Sequence, residues 1–126
     1  MITPATWLVK NRVIYAYGTG FTSDDDLQQH AQRVIALLDA GNTPVHLFLD
    51  TAPDFKVKRP DLRSGIANLR FLRHESLGWV VQVSAGNRAL DFVSSLIARF
   101  TRVSYKSVST RDNGLAFLKS ADTNID

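Results

Sequence analysis

The sequence predicts one α/β domain in which helices cover a mostly parallel sheet. The first observation behind this prediction is the short segment VHLFLD, residues 45–50, which is nearly all apolar and is typical of a central strand buried on both faces. The second is the alternation of strand and helix patterns, which requires right-handed crossovers and parallel strands. The third is the length, because 126 residues hold one hydrophobic core and leave too few for a second. We therefore expect residues 1–126 to form a single domain.

An amino-terminal hairpin and a capped helix come first in the predicted order. Two β-prone runs, 6–9 and 13–17, are separated by three polar residues, which indicates a hairpin. A helix is expected next, because Ser23 and Asp26 have the spacing of a capping box and aspartates in the first turn complement the helix dipole. The apolar residues of this helix recur on one face, and Gly41 is expected to end it.

After the central strand, helix and strand patterns continue to alternate. Pro60 suits the first turn of a second helix. Residues 79–84 are predicted to form the next strand, and a third helix follows with a wide apolar face. A last strand, 103–108, alternates enough to lie near an edge, and the spacing of Ser109 and Asp112 predicts the cap of a closing helix. The tail from Ala121 to Asp126 is expected to fray.

The composition excludes several kinds of functional site. The chain has no cysteine, which excludes disulfides, thiolate metal sites and cysteine nucleophiles. No apolar run approaches the length of a membrane-spanning helix, and the first residues lack the basic and apolar regions of a secretory signal. We therefore expect a cytoplasmic protein without a transmembrane segment. No cofactor motif is present, so none is predicted.

Positive charge is concentrated in one part of a chain whose net charge is only +3. The predicted second helix and the segment before it carry a basic stripe, composed of Lys56, Lys58, Arg59, Arg63 and Arg70. The stripe suits either a solvated helix face or a surface for an acidic protein or an anionic membrane. Few aromatic residues for base stacking accompany it, so a nucleic-acid partner is not expected.

Polar residues follow the predicted parallel strands at the edge where ligands usually bind in such sheets. This carboxyl edge would gather Asp50, Thr51, Ser84, Gly86, Asn87 and Ser109. Backbone N–H groups there could bind an anion, but caps and turns are the commoner role for these residue types, and we favour that role. No serine-nucleophile elbow and no histidine pair with metal-ligand spacing is found. His46 is expected to be a hydrogen-bonded core residue, and we do not expect an enzyme.

Two short motifs carry a resemblance to a known family. The segment FLDTA, residues 48–52, looks like a central strand that ends in an aspartate, and STRDNGLAFL, residues 109–118, looks like a closing helix of the STAS domain. The STAS domain is the fold of bacterial anti-sigma-factor antagonists. The resemblance implies a bacterial signalling module that binds a protein partner, such as a kinase or an anti-sigma-type regulator. It also implies a phosphorylated serine followed by glycine, and the comparable pair here is Ser64-Gly65.

Three functions remain open at this point, and the first is favoured. It is a non-enzymatic interaction or regulatory module, which could be a homodimer through the wide face of the third helix, at Phe92, Leu96 or Phe100. The second is the binding of a lipid or small apolar ligand in a cavity lined by Phe71, Leu72, Phe92 and Leu96. The third is a small hydrolase-type enzyme with a polar pocket around Asp50 and Ser84.

Overall fold

The computed structural model describes residues 1–57, 70–83, 103–123 and 125. Seven strands lie within these ranges: β1 (Thr6–Val9), β2 (Val13–Gly18), β3 (Phe21–Thr22), β4 (Val45–Thr51), β5 (Lys56–Val57), β6 (Leu77–Val83) and β7 (Ser104–Val108). The helices described are α1 (Asp24–Ala40), a 3-10 helix (Arg70–Arg73) and α2 (Arg111–Ala121). The predicted α/β class is therefore confirmed. No helix in these ranges is long and apolar enough to cross a membrane.

The main sheet has five strands in the order β1-β2-β4-β6-β7. Strand β1 is antiparallel to β2, and the remaining neighbours are parallel, so the predicted hairpin and mostly parallel sheet are confirmed. Strand β4 lies at the centre and β7 at an edge, as their sequence patterns predict. A second, two-stranded parallel sheet joins β3 to β5. This small sheet was not predicted from the sequence, because two-residue strands have no periodicity to detect.

The central strand β4 is buried on both faces and divides the interior into two cores. Val45 and Leu47 belong to the first core, and Phe48 belongs to the second. All three side chains are fully buried. Because successive side chains of a strand point to opposite faces, an uninterrupted apolar run requires an apolar neighbour on each side of the sheet.

Helix α1 covers the first core. Its buried face carries Val34 and Leu38. The predicted capping box is present: the Asp26 amide donates to the Ser23 hydroxyl, and the Ser23 amide donates to the Asp26 carboxylate, both at 3.2 Å. The amide of Gly41 donates to the Leu37 carbonyl and ends the helix, as predicted.

Helix α2 covers the second core by packing on β4, β6 and β7. Leu118 is buried among Phe48 and Val81. Gly114 faces Phe48, and a Cβ atom added to Gly114 would lie 2.5 Å from the Phe48 ring. The close approach of the helix backbone to the sheet therefore depends on a glycine at this position.

Two predictions about the carboxyl-terminal region are wrong. Thr110, not Ser109, caps α2, because the helix begins at Arg111 and the Thr110 hydroxyl accepts from the Asn113 amide. The predicted fraying of residues 121–126 is not seen at Asp122 and Ile125, which lie in the described part of this segment. Asp122 pairs with Arg12 at 2.6 Å, and Ile125 is buried in the second core, so side-chain contacts hold this segment against the sheet.

Two predicted helices lie mostly outside the described residues. Of the second predicted helix, residues 70–73 form the 3-10 turn, and the preceding residues are outside the described ranges. The third predicted helix, with Phe92, Leu96 and Phe100, is also outside them. The homodimer contact therefore stays a prediction.

Candidate functional site

The carboxyl edge of the main sheet contains three of the six residues that the sequence assigns to it. Asp50 and Thr51 end β4, and Ser109 is exposed after β7. Ser84, Gly86 and Asn87 lie outside the described residues. The Thr51 hydroxyl donates to the Val83 carbonyl at 2.5 Å, which ties the ends of two neighbouring strands together. Thr51 therefore has a structural contact at this edge.

Asp50 forms a side-chain hydrogen bond with a residue of the neighbouring strand. The Tyr15 hydroxyl donates to Asp50 Oδ2 at 2.9 Å. In the register of the sheet, Tyr17 is directly opposite Asp50, so Tyr15 reaches the carboxylate diagonally from the same face. Burial, and then the hydrogen bond and negative charge of Asp50, raise the pKa of Tyr15 to about 12. Tyr15 therefore remains a hydrogen-bond donor at neutral pH.

Arg111 completes this arrangement from the first turn of α2. Its guanidinium carbon lies 5.1 Å from the centroid of the Tyr15 ring. The same ring stacks against Phe48, with centroids 5.8 Å apart and an interplanar angle of 28°. Tyr15 and Asp50 are half-buried, whereas Arg111 is exposed. We call Tyr15, Asp50 and Arg111 the Tyr15 cluster.

Comparison of the chain with protein-family models, curated proteins and solved structures finds no match. The resemblance to STAS domains therefore stays a prediction.

Of the Tyr15 cluster, only Asp50 was predicted from the sequence as a candidate site residue, and Tyr15 and Arg111 were missed. Period-two alternation does place Tyr15 and Tyr17 on the same face of β2, and Arg111 could be assigned to the start of a helix. The contact of Tyr15 with Asp50 depends on the strand register, and the contact of Arg111 with Tyr15 depends on the position of α2 against the sheet. Neither of these is encoded in the local pattern around Asp50.

His46 is confirmed as a hydrogen-bonded core residue, with only 2% of its surface exposed. Its Nδ1 accepts from the Trp79 amide at 2.9 Å, so Nε2 carries the proton and donates to Asp122 Oδ2 at 2.9 Å. Arg12 donates to the same carboxylate oxygen. Both ring nitrogens are therefore engaged in holding β4, β6 and the chain end together. A base that accepts a proton from a nucleophile needs a free nitrogen, which His46 lacks.

The described part of the basic stripe consists of two exposed residues, Lys56 on β5 and Arg70 on the 3-10 helix. Lys58, Arg59 and Arg63 lie outside the described residues, and so does the candidate phosphoacceptor Ser64. A partner surface along the stripe and a switch at Ser64 remain predictions.

Two of the four residues assigned to a lipid cavity are described. Phe71 and Leu72 are each 5% exposed and belong to the first core, together with residues of α1. Phe92 and Leu96 lie outside the described residues, so the cavity itself stays a prediction. Within the described ranges, no group of three or more histidine and carboxylate side chains is arranged to hold a metal ion.

Proposed function

We propose that this protein is a non-enzymatic interaction module, resembling the regulatory STAS domains, and that a protein partner binds at the Tyr15 cluster. The observation that carries the proposal is the position of Arg111, whose exposed guanidinium lies over the half-buried ring of Tyr15. A kinase or an anti-sigma-type regulator is the class of partner that the resemblance implies.

The residue types and their rigidity favour binding at this cluster. Tyrosine and arginine are enriched among the residues that contribute most to protein–protein affinity. Tyr15 is held by Phe48 and by its bond to Asp50, so little side-chain entropy remains to be lost when a partner binds. The planar guanidinium of Arg111 suits a bidentate contact with a carboxylate of the partner.

The contacts of the other polar residues support a binding role over a hydrolytic one. Both ring nitrogens of His46 are engaged within the protein. Thr51 donates its hydroxyl proton to a backbone carbonyl, and Asp50 accepts from Tyr15. A nucleophile or general base needs a group that is free to exchange a proton with the substrate. These residues instead stabilise the carboxyl edge and the sheet.

The proposal is tested by cross-linking the protein in its own host and purifying it in three forms. These forms are the wild type, Arg111→Glu and the matched charge reversal Lys119→Glu, which changes an exposed residue in the last turn of the same helix. We expect wild type and Lys119→Glu to retain the same partner in equal yield. Arg111→Glu should reduce that yield at least about tenfold, the effect of losing a single interfacial residue of major importance.

We do not expect misfolding of Arg111→Glu to cause such a loss. A glutamate at position 111 lies in the first turn of α2, where a negative charge favours the helix dipole, so the helix should be preserved. Equal yields from all three proteins would contradict the proposal. If a fourth form, Arg59→Glu/Arg63→Glu, were purified in the same way and it alone lost the partner, binding would instead be assigned to the basic stripe.

The regulatory part of the proposal is tested by the intact mass of the protein purified from its host. A phosphate increment that maps to Ser64 would support an antagonist-type switch. An unmodified chain under all growth conditions tested would remove the switch and leave only the binding module.

A further inference from the structure

Asp122 connects the end of α2 to the amino edge of the main sheet. Its Oδ2 atom accepts from Arg12 Nη2 at 2.6 Å and from His46 Nε2 at 2.9 Å. Arg12 directly precedes β2, and His46 lies at the start of β4, so both donors are at the edge where these parallel strands begin. We call Arg12, His46 and Asp122 the Asp122 network.

The Asp122 network is shielded from solvent. The side chain of Asp122 is 9% exposed, that of Arg12 is 18% exposed and that of His46 is 2% exposed. Charge-assisted hydrogen bonds are short and directional, and removal of one partner leaves the other charge buried without compensation. A break in the network should therefore move Asp122 towards solvent rather than leave it in place.

The Asp122 network holds one end of α2, and the Tyr15 cluster lies at the other end. Asp122 is the C-cap of the helix, and its amide donates to the Leu118 carbonyl at 2.9 Å. Arg111, the first residue of the helix, places its guanidinium over the Tyr15 ring. The helix has 11 residues, which at 1.5 Å per residue corresponds to a length of about 16 Å. It therefore connects two distant sets of contacts.

Packing in the middle of α2 makes a continuous path of contacts between its two ends. Gly114 lies against the Phe48 ring, and Phe48 stacks on Tyr15. A closely packed interface transmits a displacement, so a helix that moves at Asp122 is expected to tilt at Arg111 as well. The cation–π contact of the exposed Arg111 is too weak to fix this end of the helix by itself.

We propose that Arg12, His46 and Asp122 are positioning residues for the partner site, because the Asp122 network sets the position of α2 and thereby places Arg111 over Tyr15. The inference rests on the proposed function for its effect on binding, whereas the effect on Arg111 is measured without a partner. Because such coupling is reciprocal, a partner that binds Arg111 in this position also stabilises the Asp122 network.

Nuclear magnetic resonance of the folded protein tests the positioning. Protons that lie over an aromatic ring are shifted upfield, so the side-chain protons of Arg111 report its contact with Tyr15. Tyr15→Leu gives the shift in the absence of the ring. We expect Arg12→Gln and Asp122→Asn to lose most of the upfield shift. The control Lys10→Gln, at an exposed position of the same turn as Arg12, should keep it.

A further variant separates positioning from a merely stabilising contact. Val34→Ala removes buried contacts of α1 in the first core, so it should lower stability and leave the Arg111 shift unchanged. Arg12→Lys, which keeps the charge but loses the planar guanidinium, is the mildest change to the network and should lose a smaller part of the shift. If the network variants lowered stability and the folded proteins kept the wild-type shift, the inference would be overturned.

The consequence for binding is measured by the same cross-linking experiment as for Arg111→Glu. Loss of both the Arg111 shift and the partner in Arg12→Gln, with both retained in Lys10→Gln, is the expected result. A displaced Arg111 with an unchanged yield of a partner that Arg111→Glu loses would overturn the inference. An unchanged yield in Arg111→Glu would instead contradict the proposed function, and the resonance shifts would still show whether the Asp122 network positions α2.

Discussion

At the residue scale, the three histidines differ in what their ring nitrogens contact. His46 donates to Asp122, and its other nitrogen accepts a backbone N–H. His74 likewise donates to Asp39 at 2.6 Å and accepts from a backbone amide. His30 is different, because its Nδ1 is buried with no hydrogen-bond partner among the described residues. Its ring meets Phe71 edge-on, with centroids 6.1 Å apart.

Burial of His30 predicts that acid destabilises the fold. Burial lowers the pKa of His30 from 6.5 to about 4. Between these values the unfolded chain binds a proton at His30 and the folded chain does not, so the free energy of unfolding falls as the pH falls from 6.5 towards 4. The contribution approaches about 3 kcal/mol at the acid end.

The measurement compares wild type with His30→Leu, which keeps an apolar contact to Phe71 and cannot titrate. Urea unfolding at several pH values between 7 and 4 gives the free energy of unfolding of each protein. We expect wild type to lose more stability than the variant as the pH falls. All other ionisable groups are present in both proteins, so their effects cancel in the difference. A difference that stays constant over this range would show that His30 does not titrate abnormally.

At the scale of secondary-structure elements, the close packing of α2 on the sheet depends on a glycine within the helix. Glycine in a helix interior normally costs up to about 1 kcal/mol relative to alanine. At Gly114 the backbone of α2 approaches the Phe48 ring too closely for a Cβ atom. Packing against the sheet therefore outweighs helix propensity at this position.

We expect Gly114→Ala to destabilise the protein by about 1–3 kcal/mol, the usual cost of overpacking a core, despite the better helix propensity of alanine. Ser120→Ala, at an exposed position of the same helix, is the control and should change stability by less than about 0.5 kcal/mol. Urea unfolding measures both. If Gly114→Ala were as stable as wild type, α2 could not be packed as closely on Phe48 as the structure shows.

At the scale of the whole molecule, the two cores share one sheet. Helix α1 covers one face and α2 the other, and β4 contributes side chains to both cores. The chain has two tryptophans. Trp7 packs against the first core, and Trp79 packs against the second. The Trp79 ring meets the Phe117 ring edge-on, with centroids 4.8 Å apart.

Because the sheet is common to both cores, we expect them to unfold in one cooperative transition. Trp7→Phe leaves a fluorophore in the second core, and Trp79→Phe leaves one in the first. In each variant, the urea midpoint from fluorescence should coincide with the midpoint from far-ultraviolet circular dichroism. Separate midpoints within one variant would show that one face unfolds before the other and would contradict a single domain.

Features that depend only on neighbours along the chain could be predicted from the sequence. Ser23 and Asp26 are three residues apart, so their capping box could be predicted from local geometry alone. The apolar run of β4 also consists of consecutive residues, so burial on both faces could be predicted from it. The prediction that Ser109 caps α2 was wrong because, after the end of β7, the helix begins only at Arg111. The hydroxyl that accepts from the amide of the third helical residue therefore belongs to Thr110.

Contacts between residues that are distant in the sequence could not be predicted and are seen only in the folded structure. Tyr15, Asp50 and Arg111 come from two strands and a helix, and His46 reaches Asp122 across 76 positions of sequence. The alternation of side chains predicts which residues share a face of one strand. The register between strands and the position of a helix on the sheet depend instead on packing of the whole core. The candidate site is made of such contacts, so its residues came together only in the folded protein.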